Sequence, residues 1–344
     1  RALATLDAGA DGYNVAVGAS AGDAMTTGVQ NTLIGGQAGE SLTSGISNEA
    51  IGRKALRNST TSNYNTAIGT EALTTNILSN RNVAIGFQSL FTHNTVSLTE
   101  SYNTAVGFKA GLSVTTGTFN TLIGGLAGDA LTTGGDNIAI GVNALSTEDD
   151  HGRNVAIGRD ALKLQDAGAD AYNTAIGYVA GANVTTGVNN TLIGGLAGDA
   201  LDTGNNNTAL GYNALGQETK GDRNVAVGAH ALVTQNNTSN VDSYNTGVGY
   251  AAGTAMTTGI QNTLIGGLAG DALTIGNNNI AIGYLALSTS VDGDSNTAIG
   301  YKALEDYEDG DGNGHNTAVG ASSQLNATTG EFNTSLGSLS MGTG

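Results

Sequence analysis

Apolar and polar positions come in short pulses along the chain. Asn is followed by a β-branched or polar residue, Ala or Leu, an aliphatic residue and Gly, as in NTAIG at 173–177 and NTLIG at 190–194. Counting each pulse from its Asn as position 1, positions 2 and 4 are mostly Thr, Val or Ile followed by Ile or Val, for example Val155 and Ile157. β-Branched residues two apart share one face of a short strand. Position 8 is Ala in sixteen pulses and Ser in three (Ser89, Ser323, Ser340), the size limit of a tightly filled interior. Position 9 is Gly181 and Gly198 in two successive pulses and Leu215 and Leu232 in the next two. A Thr-Thr-Gly turn, as at 185–187, leads to the next Asn. The pattern predicts two short strands per coil, separated by Gly turns.

The pulses recur nineteen times, from Asn14 to Asn333. Their spacing is 17 residues except after Asn82 (21), Asn154 (19), Asn224 (21) and Asn296 (20). A four-coil superrepeat therefore lies over the first, and its insertions predict loops at regular intervals. The array covers residues 1–344 as one continuous domain. Leu3 to Asn14 matches Leu162 to Asn173 in spacing, so the chain reads as starting inside a coil of a longer array.

A coil of 17 residues buries almost nothing alone. Stacked about 4.8 Å apart, each strand pairs in parallel with its counterparts above and below, and like residues lie on like. The expected fold is thus an all-β parallel β-solenoid. Its candidate structural ladder is Asn103, Asn120 and Asn137 with Gly107, Gly124 and Gly141 in one block. In the next it is Asn173, Asn190 and Asn207 with Gly177, Gly194 and Gly211, and then Asn245 and Asn262 with Gly249 and Gly266. The Asn side chains should bond along the axis at a turn and tolerate left-handed backbone. Gly at position 5 should mark a corner of positive φ or a crowding of neighbouring backbones.

Composition sharpens this picture. There are 54 Gly but no Pro, Cys or Trp, so a core of large side chains is not expected. Proline would delete a ladder donor wherever it entered. Hydrophobic residues reach 39% and charged residues only 12%, which is not the signature of disorder. A net charge of −17 speaks against nucleic acid and anionic surfaces, the lack of Cys excludes disulfides and thiolate metal sites, and no apolar run is long enough for membrane insertion.

NTAIG, NVAIG and NIAIG, each followed by a small residue at position 8 and a Gly turn, resemble the head repeat of trimeric autotransporter adhesins, a parallel β-roll. They resemble more closely the NTAIG…TTG…NTLIG arrays of phage tail and capsid fibres. Coils of 17 residues and the four-coil superrepeat depart from the adhesin head and favour the fibre arrays. The resemblance implies a homotrimeric prism acting as the structural shaft of an extracellular virion fibre, with copies of itself as partners. A bacterial cell-surface adhesin head is the alternative, and a host-surface glycan or receptor a further partner. Apolar atoms on both strand faces, more than a thin coil needs inside, support lateral packing.

Candidate chemistry is sparse. Asp309, Asp311 and Asn313 have the first half of a calcium-loop spacing, but Gly320 stands where a bidentate Glu is needed, so a solvated acidic loop is the better reading. His93, His151, His230 and His315 belong to no nucleophile motif, and no enzymatic activity or cofactor is expected. Tyrosines such as Tyr172, Tyr178 and Tyr212 recur before the Asn or at position 6, a register that favours packing between coils over glycan stacking. Ice binding is a minor alternative, since the Thr pairs lie in turns.

Overall fold

The computed structural model describes residues 2–7, 12–95, 97–308 and 314–341. It is an all-β parallel β-solenoid of about 19 turns. Two compact units divide it, 1–172 and 173–344. In the first, nine three-residue strands run from Val15–Val17 to Val155–Ile157; in the second, ten run from Thr174–Ile176 to Thr334–Leu336. Each strand begins directly after its Asn, and within each unit the strands of successive coils pair in parallel and in register. Thr191, Leu192 and Ile193 lie on Thr208, Ala209 and Leu210, and these on Val225, Ala226 and Val227. No helix occurs among the described residues, so none is long and apolar enough to cross a membrane.

Among the described residues, the coils of Asn65 and Asn207 carry a second strand of only two residues, Ser79–Asn80 and Gly221–Asp222, and the expected second strand is absent from the other 17-residue coils. Its place is taken by turns, because positions 7 and 9 both adopt left-handed backbone: φ is 60° at Leu196, 54° at Gly198, 54° at Asn213 and 54° at Leu215. Extension cannot continue through residues of that conformation. Registered bonding continues regardless. The position-9 N–H donates to the position-8 carbonyl of the following coil, from Gly198 to Ala214 (2.9 Å) and from Leu215 to Ala231 (3.0 Å). Backbone groups outside the strands are thereby paired in the absence of a sheet.

Position 5 meets both expectations. Gly194 has φ +137°, and a Cβ there would lie 2.4 Å from the Gly211 carbonyl oxygen.

The interior corrects the expectation of a core without large side chains. Position 3 and position 8 point inward and are completely buried, as at Leu192, Ala197, Ala209 and Ala214. Leucine fills the remaining space from alternating origins. A coil with Leu192 at position 3 has Gly198 at position 9, where a Cβ would stand 2.7 Å from a Leu192 methyl. The next coil has Ala209 and Leu215 instead, and Leu215 is also fully buried. In these two coils one leucine thus fills the same space from either wall, whereas the first coil of a block carries none at these positions, as at Ala105 and Gly111, and leucines of the coils on either side (Leu90 and Leu122) reach into its space.

Two insertions regain register by short parallel pairs with the preceding coil. Thr99–Glu100 pairs with Ser79–Asn80, and Val241–Asp242 with Gly221–Asp222.

Candidate lateral face and interior polar column

The Asn ladder forms as the sequence suggests, with one correction. The left-handed residue is the one before the Asn, for example Asn189 (φ 59°), Asn206 (φ 58°) and Tyr172 (φ 53°), and not the Asn itself. That turn brings the Asn side chain into the interior, where Asn120, Asn207 and Asn262 have no exposure. Each side chain works in two directions. Asn190 Oδ1 accepts from the backbone N–H of Asn207 at 2.9 Å, while its Nδ2 donates to the Gly204 carbonyl at 2.9 Å and closes its own coil. Asn103 and Asn245 close theirs on Gly117 and Gly259 in the same way.

Period-two geometry places positions 17, 2, 4 and 6 on the outward face. Position 2 presents Thr, Val or Ile, and Glu at Glu49, while position 4 presents Ile, Val or Leu, with Val17 57% and Leu210 44% exposed. Aromatic and cationic residues flank this strip. On one side Arg81 lies over the rings of Tyr64 (5.1 Å) and Tyr102 (5.6 Å), and Tyr102 stacks on Phe119 at 5.8 Å. On the other, Phe87 stacks on Phe108 at 5.6 Å and Tyr284 on Tyr301 at 6.0 Å. Opposite Gly195, which leaves room at position 6, the Tyr212 ring lies 3.6 Å from where a Cβ would be. The tyrosines do pack between coils, yet Tyr178, Tyr212 and Tyr301 keep about half their surface exposed.

Polar side chains also line the interior, at a position that the sequence pattern leaves unmarked. Position 12 is apolar in the first two coils of a block (Val184, Leu201) but polar in the last two, and Ser59, Asn76, His93, Glu148, Gln165, Glu218, Gln235 and Ser290 are all completely buried. In the insertion coil of Asn224, Gln235 joins the Asn ladder. Gln235 Nε2 donates to Asn224 Oδ1 (3.0 Å), and Asn245 Nδ2 donates to Gln235 Oε1 (3.2 Å). The missed signal was the switch from Val or Leu to Gln, Glu or His at one register position. It is visible only once position 12 is known to point inward.

Two groups in this column are ionisable and unlike. Burial lowers the His93 pKa to about 4, against a smaller opposing effect of the Thr115 backbone. Burial raises the Glu148 pKa, and the charge of Asp166 adds to it, while hydrogen bonding and the charge of His151 oppose it. Glu148, Asp149, His151 and Asp166 each bring one donor atom within 4.8 Å of the others. Of the other histidines, His230 meets Tyr212 and Tyr250 edge-on and His315 stacks on Phe332. Asp309, Asp311 and Asn313 lie outside the described residues.

Searches against protein-family models and curated proteins found no match.

Proposed function

We propose that the chain is a structural spacer of an extracellular fibre, in which three copies pack side by side through the outward strand face. The observation that carries this reading is the outward row of aliphatic side chains at position 4, beside Thr or β-branched aliphatic residues at position 2 in nearly every coil, and bordered by stacked aromatic pairs. Apolar surface recurring in one register along a whole array is the form that a lateral partner of the same periodicity would match. A second copy of the chain has that periodicity. The resemblance of the NTAIG and NTLIG coils to phage-fibre arrays favours a virion fibre, with a bacterial adhesin head as the alternative.

A charge in the strip tests the reading. Ile176→Lys combined with Ile193→Lys should abolish lateral association while leaving the coil fold and its circular dichroism intact. Association unchanged by both lysines would refute the face.

A second reading rests on the half-exposed tyrosines at position 6, such as Tyr178 and Tyr212. Their ring faces suit sugar stacking, and contact with a host-surface glycan is the function they would serve.

A further inference from the structure

We propose that Glu148, Asp149, His151 and Asp166 form a binding site for one divalent transition-metal ion of the zinc class. The site lies where two successive coils of the first unit meet, at position 12 and the turn after it in one coil, and at position 13 of the next.

Glu148 is the fully buried member of the cluster. Its side chain has no exposure, and its Oε2 has no hydrogen-bond partner among the described residues. Oε1 receives only the His151 backbone N–H at 3.2 Å and faces the same imidazole's Nδ1 at 3.3 Å. A buried carboxylate oxygen without a partner is costly, and native structures rarely keep one without an ion or water beside it.

The same position one block later shows that the scaffold does not require this arrangement. Glu218 is equally buried, but it is saturated. Its Oε1 accepts the backbone N–H groups of Thr219, Lys220, Gly221 and Asn237, and its Oε2 accepts Asn237 Nδ2 at 3.1 Å. Between the two blocks the neighbours change in one direction. Thr219 corresponds to Asp149, Gly221 to His151 and Asn236 to Asp166. Every exchange replaces a neutral or small residue with one that ligates metals.

Charge points the same way. Three carboxylates converge, and among the described residues neither Lys nor Arg pairs with Glu148, Asp149 or Asp166. A dication would neutralise them and engage the Nδ1 of His151, which already lies 3.3 Å from Glu148 Oε1. Imidazole with carboxylates suits zinc and its neighbours, whereas calcium and magnesium take oxygen ligands. Donors about 2.0–2.2 Å from a tetrahedral ion stand roughly 3.5 Å apart. The cluster must therefore contract by about 1 Å, within the rotamer reach of Asp149, His151 and Asp166 around a fixed Glu148.

The test is titration of the purified full chain with Zn²⁺, Mn²⁺ and Ca²⁺, read by calorimetry and by metal retained after dialysis. One Zn²⁺ per chain is expected, with affinity at least about tenfold weaker in His151→Ala and in the surface variant Asp166→Asn, and unchanged in Glu218→Gln. Zn²⁺ should raise the melting temperature of the wild type and not of His151→Ala, which separates metal binding from a folding defect. Absence of saturable Zn²⁺ binding, binding of Ca²⁺ alone, or Zn²⁺ affinity indifferent to both variants would overturn the assignment.

Discussion

The backbone N–H of Asn190 donates to the Oδ1 of Asn173 at 2.8 Å, from one coil to the side chain of the coil before it. The bond is buried, and its copies recur 17 residues apart. Side-chain amides therefore do what a sheet does elsewhere: they pair the backbone of a turn with its neighbour.

Replacing Asn190 with Ala would orphan the Asn207 N–H and the Gly204 carbonyl, both of which depend on its side chain. Each buried unpaired group costs about 1–3 kcal/mol, so the expected destabilisation is about 2–5 kcal/mol. Urea unfolding should show it, and amide exchange should place it at Asn207 and the closing turn. A loss below about 0.5 kcal/mol would mean that the ladder does not bear on stability.

The exchange of leucine between positions 3 and 9 predicts rescue. Leu192→Ala alone should cost about 2–5 kcal/mol by leaving a cavity, and Gly198→Leu alone about 1–3 kcal/mol by overpacking. The double variant reproduces the Ala209 and Leu215 pattern of the next coil. Its cost should fall well below the sum, a coupling of more than about 1 kcal/mol in a double-mutant cycle. Additive costs would refute the shared cavity.

Gly194→Ala should be among the most damaging small substitutions. It places a Cβ in a backbone of φ +137°, 2.4 Å from the Gly211 oxygen. Strain and clash together predict a loss of about 3 kcal/mol or more. The half-buried Gly125, whose Cβ would meet nothing within 4 Å, should accept Ala within about 0.5 kcal/mol in the same melting assay.

His93 predicts a pH dependence confined to acid. Its folded pKa of about 4 lies below the unfolded value of 6.5, so the unfolded chain binds the proton more readily. The stability that neutral His93 allows is complete above pH 6.5 and is lost as pH falls toward 4, by about 3 kcal/mol in all. His93→Gln, which installs the residue found at Gln165 and Gln235, should flatten this part of the curve. A wild-type slope over the same pH range that survives the substitution would exonerate His93.

The sequence made the coil legible because stacking repeats the same demands at every turn. Asn at position 1, Gly at position 5 and a small residue at position 8 each answer one local constraint, and repetition exposes all three. The turn that follows each strand was hidden because left-handed backbone at Asn213 and Leu215 leaves no compositional mark: neither residue is Gly. The polar column was hidden for a different reason. Glu148 and Glu218 share a register position yet meet different neighbours, and only three-dimensional contacts separate a saturated carboxylate from one with an open oxygen.

Sedimentation equilibrium of the wild-type chain measures lateral association most directly. A mass three times the 34.1 kDa of one chain, falling to a single chain with lysines at Ile176 and Ile193, is the predicted result. A wild-type chain that remains at 34.1 kDa across the accessible concentration range would contradict it.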